Sequence, residues 1–352
     1  MPKTSLRLMF LNAENLFSPG NSFYGSQYTA AQDQAKVAWI GARIAEGQVH
    51  VVGLSEVGEN SQTCMQDVMA AANNRDTTGW PPFAHDFRAV PGPAGARIRN
   101  AVISRFPLSN TASLSQYPPG FAVDLLRPGT NPAVPANWVA VPSTSFSRPI
   151  ARVRVNPPQG GKAFHLFVLH LKSKRPRVAA HDPQGDAVGI ARSAIQRNME
   201  AAALRVYLDT FLPQQYAADS SVATILTGDF NDTPTSVPLE NIRGPFDKVP
   251  GPSTTWSEAD KRRLLSCARL HLKMVAHEDR LYSYVHNESF TLLDQAFVSE
   301  HLVSSFDHME VYNDHVFRHQ ELSESTAEEQ QWKSQASDHG IVVIELRRML
   351  AA

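Results

Sequence analysis

Short apolar runs of strand length recur along the whole of this chain, and several of them stop at a residue able to do chemistry. The runs at 6–11, 49–54, 100–103, 151–155, 164–170, 223–227, 292–298 and 340–346 are rich in Val, Ile, Leu and Phe, as strands buried on one or both faces are. Three helical patterns lie between them: 29–45 with Val37, Ile40, Ala42 and Ile44; 190–211 with Ile195, Ala202, Leu204 and Leu208; and 257–276, opening on a Ser cap and running through Leu264 and Leu270. Several strands follow one another through loops without a crossover helix. A mixed sheet packed on another sheet is therefore expected rather than a purely parallel one.

The Pro-rich stretches at 81–82, 91–93, 118–119, 128–142 and 157–158 read as surface connections. None has the composition of a flexible linker, and no repeat or low-complexity tract is present. Because the candidate catalytic residues come from both ends of the sequence, residues 1–352 are expected to form a single domain, with a helical insertion at about 251–287.

A hydrophobic fraction of 42% against 19% charged residues describes a chain that folds around a sizeable core. Lys and Arg number 33 and Asp and Glu 34, a formal charge of −1, so no global field draws the protein to nucleic acid or anionic membranes, and phosphate recognition has to be local. Cys64 and Cys267 lie in no metal-binding spacing and are too few for a disulfide framework. No uninterrupted apolar stretch reaches the roughly 18 residues of a membrane span. The first strand-like run begins at Leu6, too early for a leader peptide, which predicts a cytoplasmic protein, or a secreted or periplasmic one whose leader has been removed.

Four places carry the chemistry. In Leu226-Thr227-Gly228-Asp229-Phe230-Asn231 an apolar strand ends in a turn with a carboxylate and an amide two residues apart, so that both can face one side. In Ser337-Asp338-His339-Gly340 the acid and the imidazole are adjacent; in extended backbone they point to opposite faces, and each needs a partner from elsewhere. His170 closes an apolar strand and is followed by Lys172, Lys174, Arg175 and Arg177, a basic cluster that serves equally as a phosphate contact or as a charged sheet edge. Asn12 and Glu56 also follow apolar strands, and with Glu14, Asn15 and Asp294 they make an oxygen-ligand set of the kind Mg²⁺ or Mn²⁺ prefers.

Taken in order, these segments resemble the endonuclease/exonuclease/phosphatase superfamily, chiefly through Gly-Asp-Phe-Asn at 228–231 and Ser-Asp-His at 337–339, supported by Leu-Asp-Gln-Ala-Phe-Val-Ser at 293–299. The resemblance implies an α/β fold, a four-layer α/β/β/α sandwich of two mixed β-sheets flanked by helices, and a metal-dependent phosphoric ester hydrolase using one or two Mg²⁺ or Mn²⁺ ions. By motif, Asn12, Glu56 and Asp338 match metal-site positions. Asp229 matches the residue that orients or deprotonates the attacking water, and Asn231 a ligand of the scissile phosphate or a second metal; His339, a further potential metal ligand, matches the histidine that activates water or stabilises the phosphorane. Asp294 matches its orienting carboxylate. His170, where repair-type nucleases have an Asn-containing motif, suggests the digestive-type deoxyribonuclease and bacterial nuclease-like subgroup.

Arg97 and Arg99 stand where that subgroup carries an acid, and an arginine there suits a bidentate phosphate clamp. With Lys172 and Lys174 they favour a nuclease acting on DNA or nucleotide-like diesters. The charge of −1 and the lack of a basic stripe favour single strands or small diesters. A phosphatase or phosphodiesterase of a small molecule or lipid headgroup is the alternative, with Tyr282, Tyr284 and His286 available to stack on a ring or to fill the core. An inactive binding scaffold is disfavoured by the presence of Asp229, Asn231, Asp294, Asp338 and His339 together.

Overall fold

The computed structural model describes residues 4–20, 22–23, 26–27, 29–58, 62–90, 97–127, 129–141, 143–158, 160–176, 185–244, 260–274, 281–286, 288–316 and 335–351. Twelve strands build the two main sheets: β1 Leu6–Leu16, β2 Val51–Gly58, β3 His85–Arg88, β4 Ile98–Ser104, β5 Leu108–Gln116, β6 Ser145–Val155, β7 Phe164–His170, β8 Ala223–Asp229, β9 Leu264–Ser266, β10 Asp294–Ser299, β11 Phe306–Tyr312 and β12 Ile341–Leu346. Their order is β11-β12-β1-β2-β4-β3 in one sheet and β9-β10-β8-β7-β6-β5 in the other. Each sheet is mixed, with a central parallel pair, β1 with β2 and β7 with β8, among antiparallel neighbours.

The side-chain period of two explains the layering. Leu8 and Phe10 of β1, Leu166 and Val168 of β7, Ile225 of β8, Ala296 and Val298 of β10, and Val342 and Ile344 of β12 all enter one core between the sheets. The alternate residues turn outward. Met9, Leu11, Val52, Leu54 and Val343 pack under α1 (Ala30–Gly47) and α2 (Gln62–Arg75), while Phe167, Leu169, Leu226 and Phe297 pack under α3 (Gly185–Ala218) and α4 (Val237–Arg243). The result is the expected α/β/β/α sandwich. Gly53 faces the other sheet at close range: a Cβ there would meet Val168 Cγ2 at 2.8 Å and Thr227 Cγ2 at 3.4 Å.

α1 is capped by Thr29, the first residue of the expected helical pattern, which forms a reciprocal capping box with Gln32. Within 251–287 the described residues hold a short 3₁₀ turn at Asp260–Arg262, strand β9, an eight-residue helix, α5 (Cys267–Met274), and a hairpin strand at Tyr284–His286; 251–259, 275–280 and 287, like Arg177, lie outside the described residues. The helix expected over 257–276 is thus corrected. Leu264, Leu265 and Ser266 pair with Ser299, Val298 and Phe297, because the free edge of β10 satisfies their backbone and buries Leu264, whereas the six-residue spacing of Leu264 and Leu270 does not mark one helical face, since at roughly 100° per residue it separates the two by about 120°. Among the described residues no helix is long and apolar enough to cross a membrane.

Candidate active site

The inward phase of the strands does not stop where the apolar residues do. It continues to the rim, where it delivers polar groups: Asn12 follows Leu8 and Phe10, and His170 follows Leu166 and Val168. Register then aligns three of them, since His170 pairs with Asp229 and Asp229 with Asp294 across adjacent strands. Directly opposed residues of neighbouring strands share a face, so the three side chains form one row. Each is buried, at 3%, 1% and 0% exposure.

His339, just before β12, meets this row from the other sheet. Its Nδ1 lies 2.7 Å from Asp294 Oδ2, which leaves Nε2 directed away from that carboxylate. Nε2 is 3.9 Å from Asp338 Oδ1, beyond a hydrogen bond, although 338–339 form a bend and not the extended backbone expected of them. Burial by itself would lower the pKa of His339, but Asp294, Asp338 and Asp229 outweigh it and hold the imidazole well above its ordinary value. His170 goes the other way: burial, then the positive charges of Arg148, His339 and Lys172, push it well below. Asp229 stands between the two, with Oδ2 3.4 Å from His170 Nε2. Burial and the neighbouring Asp294 raise its carboxyl to about 7. Two imidazoles driven to opposite charge states around one carboxylate are an arrangement able to separate acid from base roles.

Asn12 holds carboxylates together, its Nδ2 donating to Asp229 Oδ2 at 3.2 Å and to Glu56 Oε1 at 3.5 Å. Glu56 has a left-handed backbone, φ 57°, at an irregularity in the pairing of β2 with β4; burial and repulsion from Asp338 raise its pKa. Asn231, also left-handed at φ 53°, donates its backbone N–H to Asp229 Oδ1 at 2.8 Å and its amide to the Leu171 carbonyl at 3.1 Å. Gly228 is required beside it, since a Cβ would fall 2.1 Å from the Leu169 carbonyl oxygen. Glu56, Asp229, Asn231, His170 and His339 open on a cavity of about 610 Å³, whose far wall is the hairpin Tyr284–His286/Ser289–Thr291 and whose near lip is Ser173, Lys174, Arg175 and Pro176. The Tyr284 ring lies 4.9 Å from that of His339 and stacks with His286, whereas Tyr282 packs on Phe290.

A family model described as the Endonuclease/Exonuclease/phosphatase family matches residues 15–339. This chain belongs to that family. Its members are phosphoesterases. Among solved structures this family member is similar to an endonuclease/exonuclease/phosphatase from Bacteroides vulgatus, with 14% identity over 98% of this chain and 99% of that one and a TM-score of 0.50. It is also similar to truncated TDP2 from Caenorhabditis elegans, with 9% identity over 97% and 98% and a TM-score of 0.50. At such identities the likeness is one of fold. No curated protein sequence matches the chain.

The donor chemistry of this family member fits a divalent cation. Glu56, Asp338 and Asp229 are hard oxygen donors crowded at one rim, where burial first, and then repulsion from Asp338 for Glu56 and from Asp294 for Asp229, raises the pKa values of Glu56 and Asp229. Ligand atoms of Asp229, Asp294 and His339 lie within 4.8 Å of one another. The remaining predicted residues are placed differently. Lys174 lines the cavity, but the Lys172 ammonium is turned onto Ser173 and the Arg175 carbonyl. Arg97 is exposed just ahead of β4, Arg99 pairs with Val57 within the sheet, and neither lines the cavity.

Sequence reasoning passed over several residues of the family member's site. Ser337 Oγ donates to the Asn12 carbonyl at 2.6 Å and accepts from His339 N at 3.0 Å, tying the two ends of the chain together. Ser283 Oγ accepts the N–H groups of Leu293 and Asp294. Glu200 of α3 accepts Ser147 N and Lys172 N. Lys36 was legible in principle, because its position falls on the Ile40 and Ile44 stripe of α1.

Proposed function

We propose that this chain is a divalent-metal-dependent phosphodiesterase of nuclease type, acting on DNA or nucleotide-like diesters in the cavity between the Tyr284 hairpin and the Lys174 lip. The observation that carries this reading is the row of His170, Asp229 and Asp294 crossed by His339, in which burial and charge set the two imidazoles to opposite protonation. Asn12, Glu56 and Asp338 would hold Mg²⁺ or Mn²⁺, with Asp229, Asn231 and His339 beside them. Such an ion supplies Lewis-acid neutralisation of charge on the phosphoryl oxygens.

The chain's own residues do the rest. Asp229, with a carboxyl poised near neutrality, takes the proton of the attacking water. Asp294 orients the His339 imidazolium, so that the opposite ring nitrogen presents a proton to the charge developing on the phosphoryl group. His170, neutral and 3.4 Å away, orients the Asp229 carboxylate. Tyr284 and His286 offer a stacking face to a ring on the substrate, and Lys174 offers a charge to a phosphate.

The enclosing hairpin also favours a second reading, hydrolysis of a small ring-bearing diester. The two separate when bis-p-nitrophenyl phosphate, plasmid and single-stranded DNA are each tested with Mg²⁺, Mn²⁺ and EDTA, with Asp229→Ala and His339→Ala as controls. Metal-dependent DNA cleavage that both variants lose supports the nuclease. Cleavage of the small diester alone selects the second reading, and no metal-dependent turnover on any substrate returns the chain to a binding scaffold.

A further inference from the structure

α1 buries a lysine. Lys36 is 1% exposed, and an ammonium removed from water is costly by several kcal/mol unless charge and hydrogen-bond partners replace its hydration. Its partners are specific: Nζ donates a hydrogen bond to the carbonyl of Glu14. Burial pushes the ammonium's pKa down, and the carboxylates of Glu14, Asp338 and Glu56 push it back.

The Glu14 carbonyl belongs to a left-handed pair, Glu14 and Asn15, with φ of 44° and 62°, lying in the bulge where β1 loses register with β2. Non-glycine residues keep that conformation only where their surroundings hold it. The pair is wired to two side chains and to one backbone N–H. Glu14 N donates to Asn12 Oδ1 at 3.0 Å, Asn15 N donates to Glu56 Oε2 at 3.2 Å, and Glu14 Oε2 accepts the Asp338 N–H at 3.2 Å. A shift of the Glu14 carbonyl therefore reaches Asn12, Glu56 and Asp338 together.

We infer that Lys36 is a positioning residue for the cation site: from beneath, it fixes the Glu14–Asn15 turn so that Asn12, Glu56 and Asp338 are presented in one prearranged geometry. The inference rests on the reading of those residues as a metal site.

The test is a titration of Mn²⁺ into wild type, Lys36→Met and Glu14→Ala, read by calorimetry and by the ion-induced shift in unfolding temperature, beside hydrolysis of bis-p-nitrophenyl phosphate. Lys36→Met is expected to need about 10–100-fold more Mn²⁺ for half-saturation, the usual effect of removing a group that orients ligands. At saturating Mn²⁺ it keeps most of kcat. Glu14→Ala weakens binding as well, and the double variant is less impaired than the two effects combined, because both act through one turn. A lower unfolding temperature in EDTA with an unchanged Mn²⁺ dependence would make Lys36 a packing residue and overturn the inference. Tighter Mn²⁺ binding by Lys36→Met overturns it too, by showing that charge repulsion dominates. Should Lys36→Met not fold, unchanged affinity in half-buried Glu14→Ala has the same force. Wild-type protein that binds no Mn²⁺ sinks the metal-site reading itself, a separate result.

Discussion

At the scale of single residues, the charge state of His339 is the quantity to measure. Its raised pKa comes from carboxylates that outweigh burial, Asp294 first among them. In metal-free protein, the stability this pairing contributes is therefore complete below the unfolded histidine value near 6.5 and is lost as pH rises through the higher folded value. Asp294→Asn is expected to bring the imidazole pKa down in an NMR titration with EDTA present, and to lower kcat/KM by roughly 10²–10⁴-fold through loss of the orienting carboxylate. Tyr284→Ala is expected to raise KM for ring-bearing diesters with little change in kcat, since its ring touches His339 without contributing a proton. His170 and Asp229 were readable in the sequence because a polar residue closing an apolar run is unusual. Ser337 and Ser283 were not, because serines that brace backbone N–H and C=O groups look the same in a sequence as any surface serine.

At the scale of elements, the junction of β1 and β2 carries a titratable group unrelated to the site. His50 is buried, accepts the Arg7 N–H at Nδ1 and stacks against Trp80 and Phe106. Burial and the nearby Arg105 push its pKa down to about 3. The unfolded chain thus takes up a proton that the folded one refuses, and stability falls as pH drops from the unfolded value near 6.5 toward 3, by up to about 1.4 kcal/mol per unit. Urea midpoints at pH 6.5 and 4.5 check this, and His50→Gln should flatten the slope. Strand and helix identity was legible for most elements, since α1 carries Val37, Ile40 and Ile44 at helical spacing and the central strands, buried on both faces, read as short continuous apolar runs. β9 was not: three residues cannot display a period, and what makes them a strand is the edge of β10.

At the scale of the whole molecule, the sheets must meet at the right spacing for their rims to share a site. Gly53 lies within that interface, where Val168 is too close for a Cβ to fit without a shift. Gly53→Val is expected to cost about 1–3 kcal/mol by overpacking and to depress activity while leaving every rim residue in place, as thermal melts and diester hydrolysis would report. Phe10→Ala, in the same core and fully buried, should cost about 3–5 kcal/mol. The two-sheet arrangement was expected from loop-joined strands, but the face-to-face contact of residue 53 with residue 168 is a long-range pairing that no local pattern encodes. β12 has a consequence of its own. It inserts between β11 and β1 and brings His339 to Asp294, so a chain emerging from the ribosome amino end first cannot close the row of His170, Asp229 and Asp294 with its imidazole until residues 337–346 have been made.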